Sequence, residues 1–107
     1  MSDSTADHST HLRTHMCGEL RSANVGERVS VCGWVAARRE HSQHLSFVDL
    51  RDHTGRVQCV VDGSVDVRSE YVLRVTGEVR AREDATINPN LATGEIELKD
   101  CSVEVLS

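Results

Sequence analysis

The segment EYVLRVTGEVRAR, residues 70–82, alternates apolar and polar residues with a period of two. That period belongs to a strand with one buried face, because successive side chains leave a pleated backbone on opposite sides. Tyr71, Leu73, Val75, Val79 and Ala81 are therefore expected to point into a core. Arg74, Thr76, Glu78, Arg80 and Arg82 are expected to point away from it.

Four more segments have strand character. ERVSVCGWVAARRE puts Val29 and Val31 on one face, and Gly33 in its middle predicts a bulge or sharp bend of the kind small barrels need. HLSFVDLRDHTGRVQCVVD reads as a hairpin turning at His53-Thr54-Gly55, with Val48 and Leu50 inward and Leu45, Phe47, Asp49 and Arg51 on the other face. In GEIELKDCSVEVLS the inward positions are Ile96 and Leu98, then Cys101, Val103 and Val105. The apolar phase slips near Lys99-Asp100, which predicts a bulge there.

The connections are short. CGELRSANVGERV, from Cys17, reads as a turn or one-turn helix closed by Gly26. DGSVDVRS has room for no more than one helical turn, and EDATINPNLAT is a loop marked by Asn88-Pro89-Asn90. Residues 1–12 have the polar composition of a disordered tail, which leaves 13–107 as one domain. Five curved strands in about 85 residues match an all-β architecture, a five-stranded OB-fold barrel with a short N-terminal helix or turn.

Composition narrows the chemistry. Aromatic residues make up only 3%, so Val, Leu, Ile and Ala must fill the interior. Cys17, Cys32, Cys59 and Cys101 form no C-x-x-C pair and are expected to be reduced and mostly buried. No apolar run is long enough to span a bilayer, and MSDSTADHST lacks a basic start and an apolar stretch, so a cytoplasmic protein without membrane contact is expected.

His8, His11 and His15 do not predict a metal site. His41 and His44 with Asp49 and Asp52 are the nearest thing to an acid–base or metal constellation, but the two aspartates have opposite parity on a strand. No catalytic residue, metal or cofactor is expected.

The net charge of −5 argues weakly against nucleic acid. Its make-up argues the other way, since every basic residue but Lys99 is Arg. A planar guanidinium suits stacking and bidentate contact with phosphates or base edges; a codon bias toward Arg, Ala and Val explains the count equally well. Phe47, the only phenylalanine, is open to two readings. On the outer face of strand 2 it is a stacking platform for an unstacked base; turned by twist or a bulge, it joins the core.

The motifs RTHMCGELR, VGERVSVCGWVAARRE, FVDLRDHTGRVQCVVD, VTGEVRARED and NPNLATGEIEL occur in this order. Together they resemble the N-terminal anticodon-binding domain of bacterial aspartyl-tRNA synthetase, over about residues 12–107. The resemblance implies an OB-fold that grips the anticodon loop of aspartate tRNA with its bases splayed out. It implies that Phe47 stacks on the middle base, that Arg39 and Gln58 contact that base or its neighbours, and that Arg82 and Glu97 read the first base. Thr86 stands where an Asn contact is usual.

Two departures mark the chain: EHSQHLS after strand 1 is one residue longer than the usual turn and lacks its glycine, and the helix usual between strands 3 and 4 is almost absent. The ATP motifs of a class II catalytic domain do not occur in this sequence, so amino-acid activation is not expected of it alone. It then corresponds either to one domain of a synthetase, with the catalytic domain as a partner, or to a free-standing relative that binds a tRNA anticodon stem-loop. An OB-fold protein interaction module and a general single-strand binder are the competing functions. Salt dependence separates RNA binding from an apolar protein interface.

Overall fold

The computed structural model describes residues 13–65 and 67–106; the tail expected at 1–12 lies outside the described residues. The five expected strands are present: β1 Arg28–Ser42, β2 Leu45–Asp52, β3 Gly55–Asp62, β4 Val72–Ala81 and β5 Ile96–Val105. They close into a barrel in the order β1-β2-β3-β5-β4, with β4 also paired to β1. Every pairing is antiparallel except β3 with β5, which meet in parallel at Cys59 and Leu98.

Closure depends on β1, whose first half, Arg28 to Trp34, pairs with β4 while its second half, from Trp34 onward, pairs with β2. A strand shared in this way must bend. The bulge expected at Gly33 is instead at Ala36, between the Val35–Leu50 and Ala37–Asp49 pairs. Gly33 has a different task, because a Cβ there would lie 2.3 Å from the Arg51 carbonyl oxygen, so only glycine lets β2 come this close. The bulge also reverses the facing of β1: before it Val35 is buried among the core residues, and after it Arg39 is paired with Phe47.

The slip expected in β5 is a bulge, with Asp100 and Cys101 opposite the single residue Gly77 and Asp100 at φ 54°. Before it Ile96 and Leu98 are buried; beyond it Cys101 and Val103 pack against the core, but Val105, expected inward, is 52% exposed at the strand's end. In β4 the alternation holds from Leu73 to Val79 and then inverts. Ala81 is exposed and Arg82 is buried, the reverse of the expectation. Arg82 has left the ladder by then: its amide donates to the Glu95 carbonyl and its Nε to the Ile96 carbonyl, so the 83–95 loop closes over it.

The interior is built from small aliphatic side chains, each worth roughly 1.5–3 kcal/mol when fully buried. Valines dominate it, with Leu50, Leu73, Ile96 and Leu98 as the larger members. Cys17, from the 3-10 turn at Cys17–Glu19, and Leu20, which caps that turn ahead of a second one at Ser22–Asn24, join this core, as does Val67 from the short β3–β4 connection. All four cysteines are thiols, Cys17 and Cys59 buried and Cys32 and Cys101 partly so. Burial pushes the Cys101 thiol up to about 12 and raises Cys17 and Cys59 as well, which keeps them unreactive.

Asp52, at the end of β2, ties the N-terminal turn to the β2–β3 hairpin. Its Oδ2 accepts from the Cys17 amide at 2.8 Å and its Oδ1 from the Thr54 amide at 2.8 Å and hydroxyl at 2.5 Å. The Thr54 hydroxyl in turn accepts from the Gly18 amide at 2.8 Å. Partial burial works to raise the Asp52 carboxyl, but these donors outweigh it and hold the carboxyl below the ordinary aspartate value of 3.8.

A carboxyl depressed in the folded state stabilises above its unfolded value, and that contribution is lost as pH falls through the folded one. Asp52→Asn should therefore be less stable than the native chain at pH 7, and the gap should close as pH drops below 3.8. Urea denaturation across that range measures it; a gap independent of pH would mean that the charge of Asp52 contributes nothing.

Candidate nucleic-acid interface

The outer faces of β1 beyond its bulge, β2, β3 and the start of β5 form one surface, bordered by the β1–β2 turn and the 83–95 loop. On it lies an open cleft of about 720 Å³. Arg39, Phe47, Gln58, Arg82, Thr86 and Glu97, the six residues singled out in the sequence, all line it. Period two brings four of them there: Phe47 from β2, Gln58 from β3, Glu97 from β5 and, once the bulge has shifted its phase, Arg39 from β1.

Phe47 is half-buried and flanked by Val48 and Ser46, which both point into the protein, so its ring belongs to the cleft and not to the core. Its cross-strand partners are Arg39 on one side and Val60 on the other. The His41 ring packs against it, with centroids 5.3 Å apart and planes tilted by 43°. A second β1 irregularity lies between the Glu40–Ser46 and Ser42–Leu45 pairs, and His41 is the residue it leaves unmatched.

A chain of polar contacts crosses the cleft floor. Arg39 donates to both Asp49 oxygens, at 2.8 and 3.1 Å, and to Gln58 Oε1 at 2.9 Å. Gln58 Nε2 donates to Glu97 Oε1 at 2.9 Å, and Lys99 Nζ lies 3.6 Å from Glu97 Oε2. The Asp49 hydrogen bond raises the Arg39 guanidinium above the ordinary arginine value, against the effect of burial. Burial lowers Arg82, with Glu97 and Asp49 opposing it; a guanidinium nevertheless stays charged.

Arg82 is positioned by its bonds to the Ile96 and Thr86 carbonyls, at 2.9 and 3.1 Å. The Thr86 hydroxyl donates to the Glu83 carbonyl, so this residue shapes the loop as much as it borders the cleft. Gln58 and Glu97 are only 8% and 7% exposed, which makes each a fixed hydrogen-bonding group instead of a mobile surface one.

Asp49, Lys99 and His41 belong to this arrangement and were not among the six. Asp49 shares the parity of Phe47, which was a usable signal. Lys99 and His41 depend on local irregularities that alternation alone does not locate. Asp52, three residues from Asp49, serves the N-terminal turn, in line with their opposite parity.

The surface offers an aromatic ring, a guanidinium, an amide and a carboxylate in fixed positions across four strands. Such a set suits unstacked bases, which stack on rings and present paired donors and acceptors at their edges.

Residues 29–106 match the family of OB-fold nucleic acid binding domains known as the tRNA anti-codon family, and the chain belongs to that family. Its sequence relatives are more specific. It is 51% identical to the aspartate–tRNA(Asp/Asn) ligase of Phenylobacterium zucineum over 105 residues, which is 91% of this chain and 18% of that enzyme. It is 50% identical to the aspartate–tRNA ligase of Bacillus licheniformis over 104 residues, 89% of this chain and 17% of that enzyme.

The chain thus spans less than a fifth of the length of these relatives and is homologous to a single domain of them. The aspartyl-tRNA synthetase of Entamoeba histolytica has the same fold, with a TM-score of 0.78 at 23% identity over all of this chain and 24% of that one. Among the described residues no helix is long and apolar enough to cross a membrane.

The polar chain across the cleft should be measurable in stability. Gln58→Leu removes a partner from Arg39 and from the buried Glu97 carboxylate and should cost roughly 1–3 kcal/mol. With Glu97→Leu in a double-mutant cycle, the coupling should be about 0.5–3 kcal/mol. Additive losses would show that the two side chains do not interact.

Proposed function

We propose that this chain binds the anticodon loop of an aspartate-type tRNA, as the anticodon-binding domain of an aspartate–tRNA ligase or as a free-standing relative of one. The observation that carries the reading is the convergence of Arg39, Phe47, Gln58, Arg82, Thr86 and Glu97 on one cleft. Half-identity to aspartate–tRNA ligases over nine-tenths of the chain supports the choice of tRNA. A cytoplasmic location goes with the reading.

In this reading Phe47 stacks on the middle anticodon base, and Val60 and His41 beside it extend the platform. Gln58 and Arg39 contact that base or its neighbours. Glu97 reads the first base with Arg82. A carboxylate suits a guanine there, because its two oxygens accept the adjacent N–H donors of that base's edge. Activation of aspartate requires a catalytic domain, and the role proposed for this chain is recognition.

Phe47→Ala tests the platform. It should weaken binding of an aspartate anticodon stem-loop by roughly 1–3 kcal/mol while changing folding stability little. Val48→Ala, from the neighbouring buried position, should do the reverse and lower stability without a direct effect on the affinity of folded protein. Denaturation curves and RNA titrations of both variants decide the matter. A Phe47→Ala chain that unfolds far more easily yet binds RNA as before would sink the proposal.

A further inference from the structure

Along the outer face of the sheet, residues of β1, β2 and β3 stand in transverse rows set by the pairing register. One row is Arg39, Phe47 and Val60, and the next is Ala37, Asp49 and Gln58. A third row, toward the β2–β3 hairpin, is Trp34, Arg51 and Arg56, since Arg51 is paired with both Trp34 and Arg56. It is the only one with two cations directly opposite each other.

Like charges in that position destabilise a sheet. Of the other cations of this surface, Arg39 is ion-paired with Asp49 and Lys99 with Glu97, and the Arg82 guanidinium is taken up by the Ile96 and Thr86 carbonyls. Arg51 and Arg56 are both exposed and make no ion pair or side-chain hydrogen bond with another described residue. They line a separate depression of about 430 Å³, together with Thr54, Asn90 and Thr93. On the other side of Arg51 stands Trp34, the only tryptophan of the chain, 40% exposed. An exposed indole beside two unneutralised guanidinium groups combines the two elements that hold a nucleic-acid strand, a ring for stacking and donors for phosphate.

Resting on the tRNA reading above, we propose that Trp34, Arg51 and Arg56 form a second RNA subsite, in which the two arginines hold a backbone phosphate and Trp34 packs against the adjoining nucleotide. Arg51 is four residues from Phe47 along β2, about 13 Å at the rise of a strand. The subsite therefore engages the strand flanking the bases in the main cleft. It also adds two exposed cations that pair with no carboxylate among the described residues.

The test uses the full chain and a labelled aspartate anticodon stem-loop, followed by anisotropy over a salt series and by Trp34 emission. The native chain should bind with saturable quenching of Trp34. The double variant Arg51→Gln/Arg56→Gln should bind more weakly and reduce the slope of log affinity against log salt by roughly 0.7, the loss of one single-strand phosphate contact. Arg51→Lys/Arg56→Lys should restore most of that slope.

Unchanged slope and emission, with Phe47→Ala still weakening binding, would overturn this subsite and leave the anticodon reading standing. The same result, joined by loss of association with a synthetase catalytic domain in the glutamine variant, would overturn it in favour of a protein contact. No binding of the stem-loop by the native chain at low salt would overturn both.

Discussion

Closure of the barrel through a single shared strand is the constraint on which the rest depends. β1 must pair with β4 over its first half and with β2 over its second, and Gly33 and the Ala36 bulge stand at the change-over. A barrel of five strands leaves a narrow interior, which valines fill and aromatic rings would overfill. The same bulge that bends β1 carries Arg39 to the outer face, beside Phe47. The recognition surface is in this sense a product of barrel closure, and rigid strands hold its side chains where a loop would leave them mobile.

In the proposed RNA reading, an acidic chain holds a nucleic acid. Part of its negative charge is set against its own arginines, as in the pairs Arg74–Glu104 and Arg80–Glu78. In the cleft, Asp49 and Glu97 balance Arg39 and Lys99, so bulk attraction for phosphate is small there. On the proposed reading, stacking and hydrogen bonds to base edges carry recognition, and these terms distinguish one sequence from another where charge does not.

Much of this was legible because alternation survives in the strands that carry the site. The outward position of Phe47 and Asp49 follows from Val48 and Leu50 between and beside them, and the phase slip at Lys99-Asp100 located a bulge that the backbone contains. What was not legible lies where local geometry overrides alternation. Gly33 marks a close approach of chains and not the bulge, because both uses need the same small residue. Ala81 and Arg82 exchange faces because the chain leaves the ladder there and Arg82 is captured by the Ile96 and Thr86 carbonyls. Parity cannot register the packing of His41 on Phe47, which depends on where the second β1 irregularity falls.

The central claim is that RNA is read on the outer face of β1, β2, β3 and β5. The most direct measurement is amide chemical-shift mapping of the labelled chain during titration with an aspartate anticodon stem-loop. The account predicts that the largest changes fall at Arg39, Phe47, Gln58, Arg82 and Glu97, with the β4 positions Arg74 and Thr76 unaffected. Changes concentrated on Arg74, Thr76 and their β5 neighbours, with the Phe47 cleft silent, would contradict it.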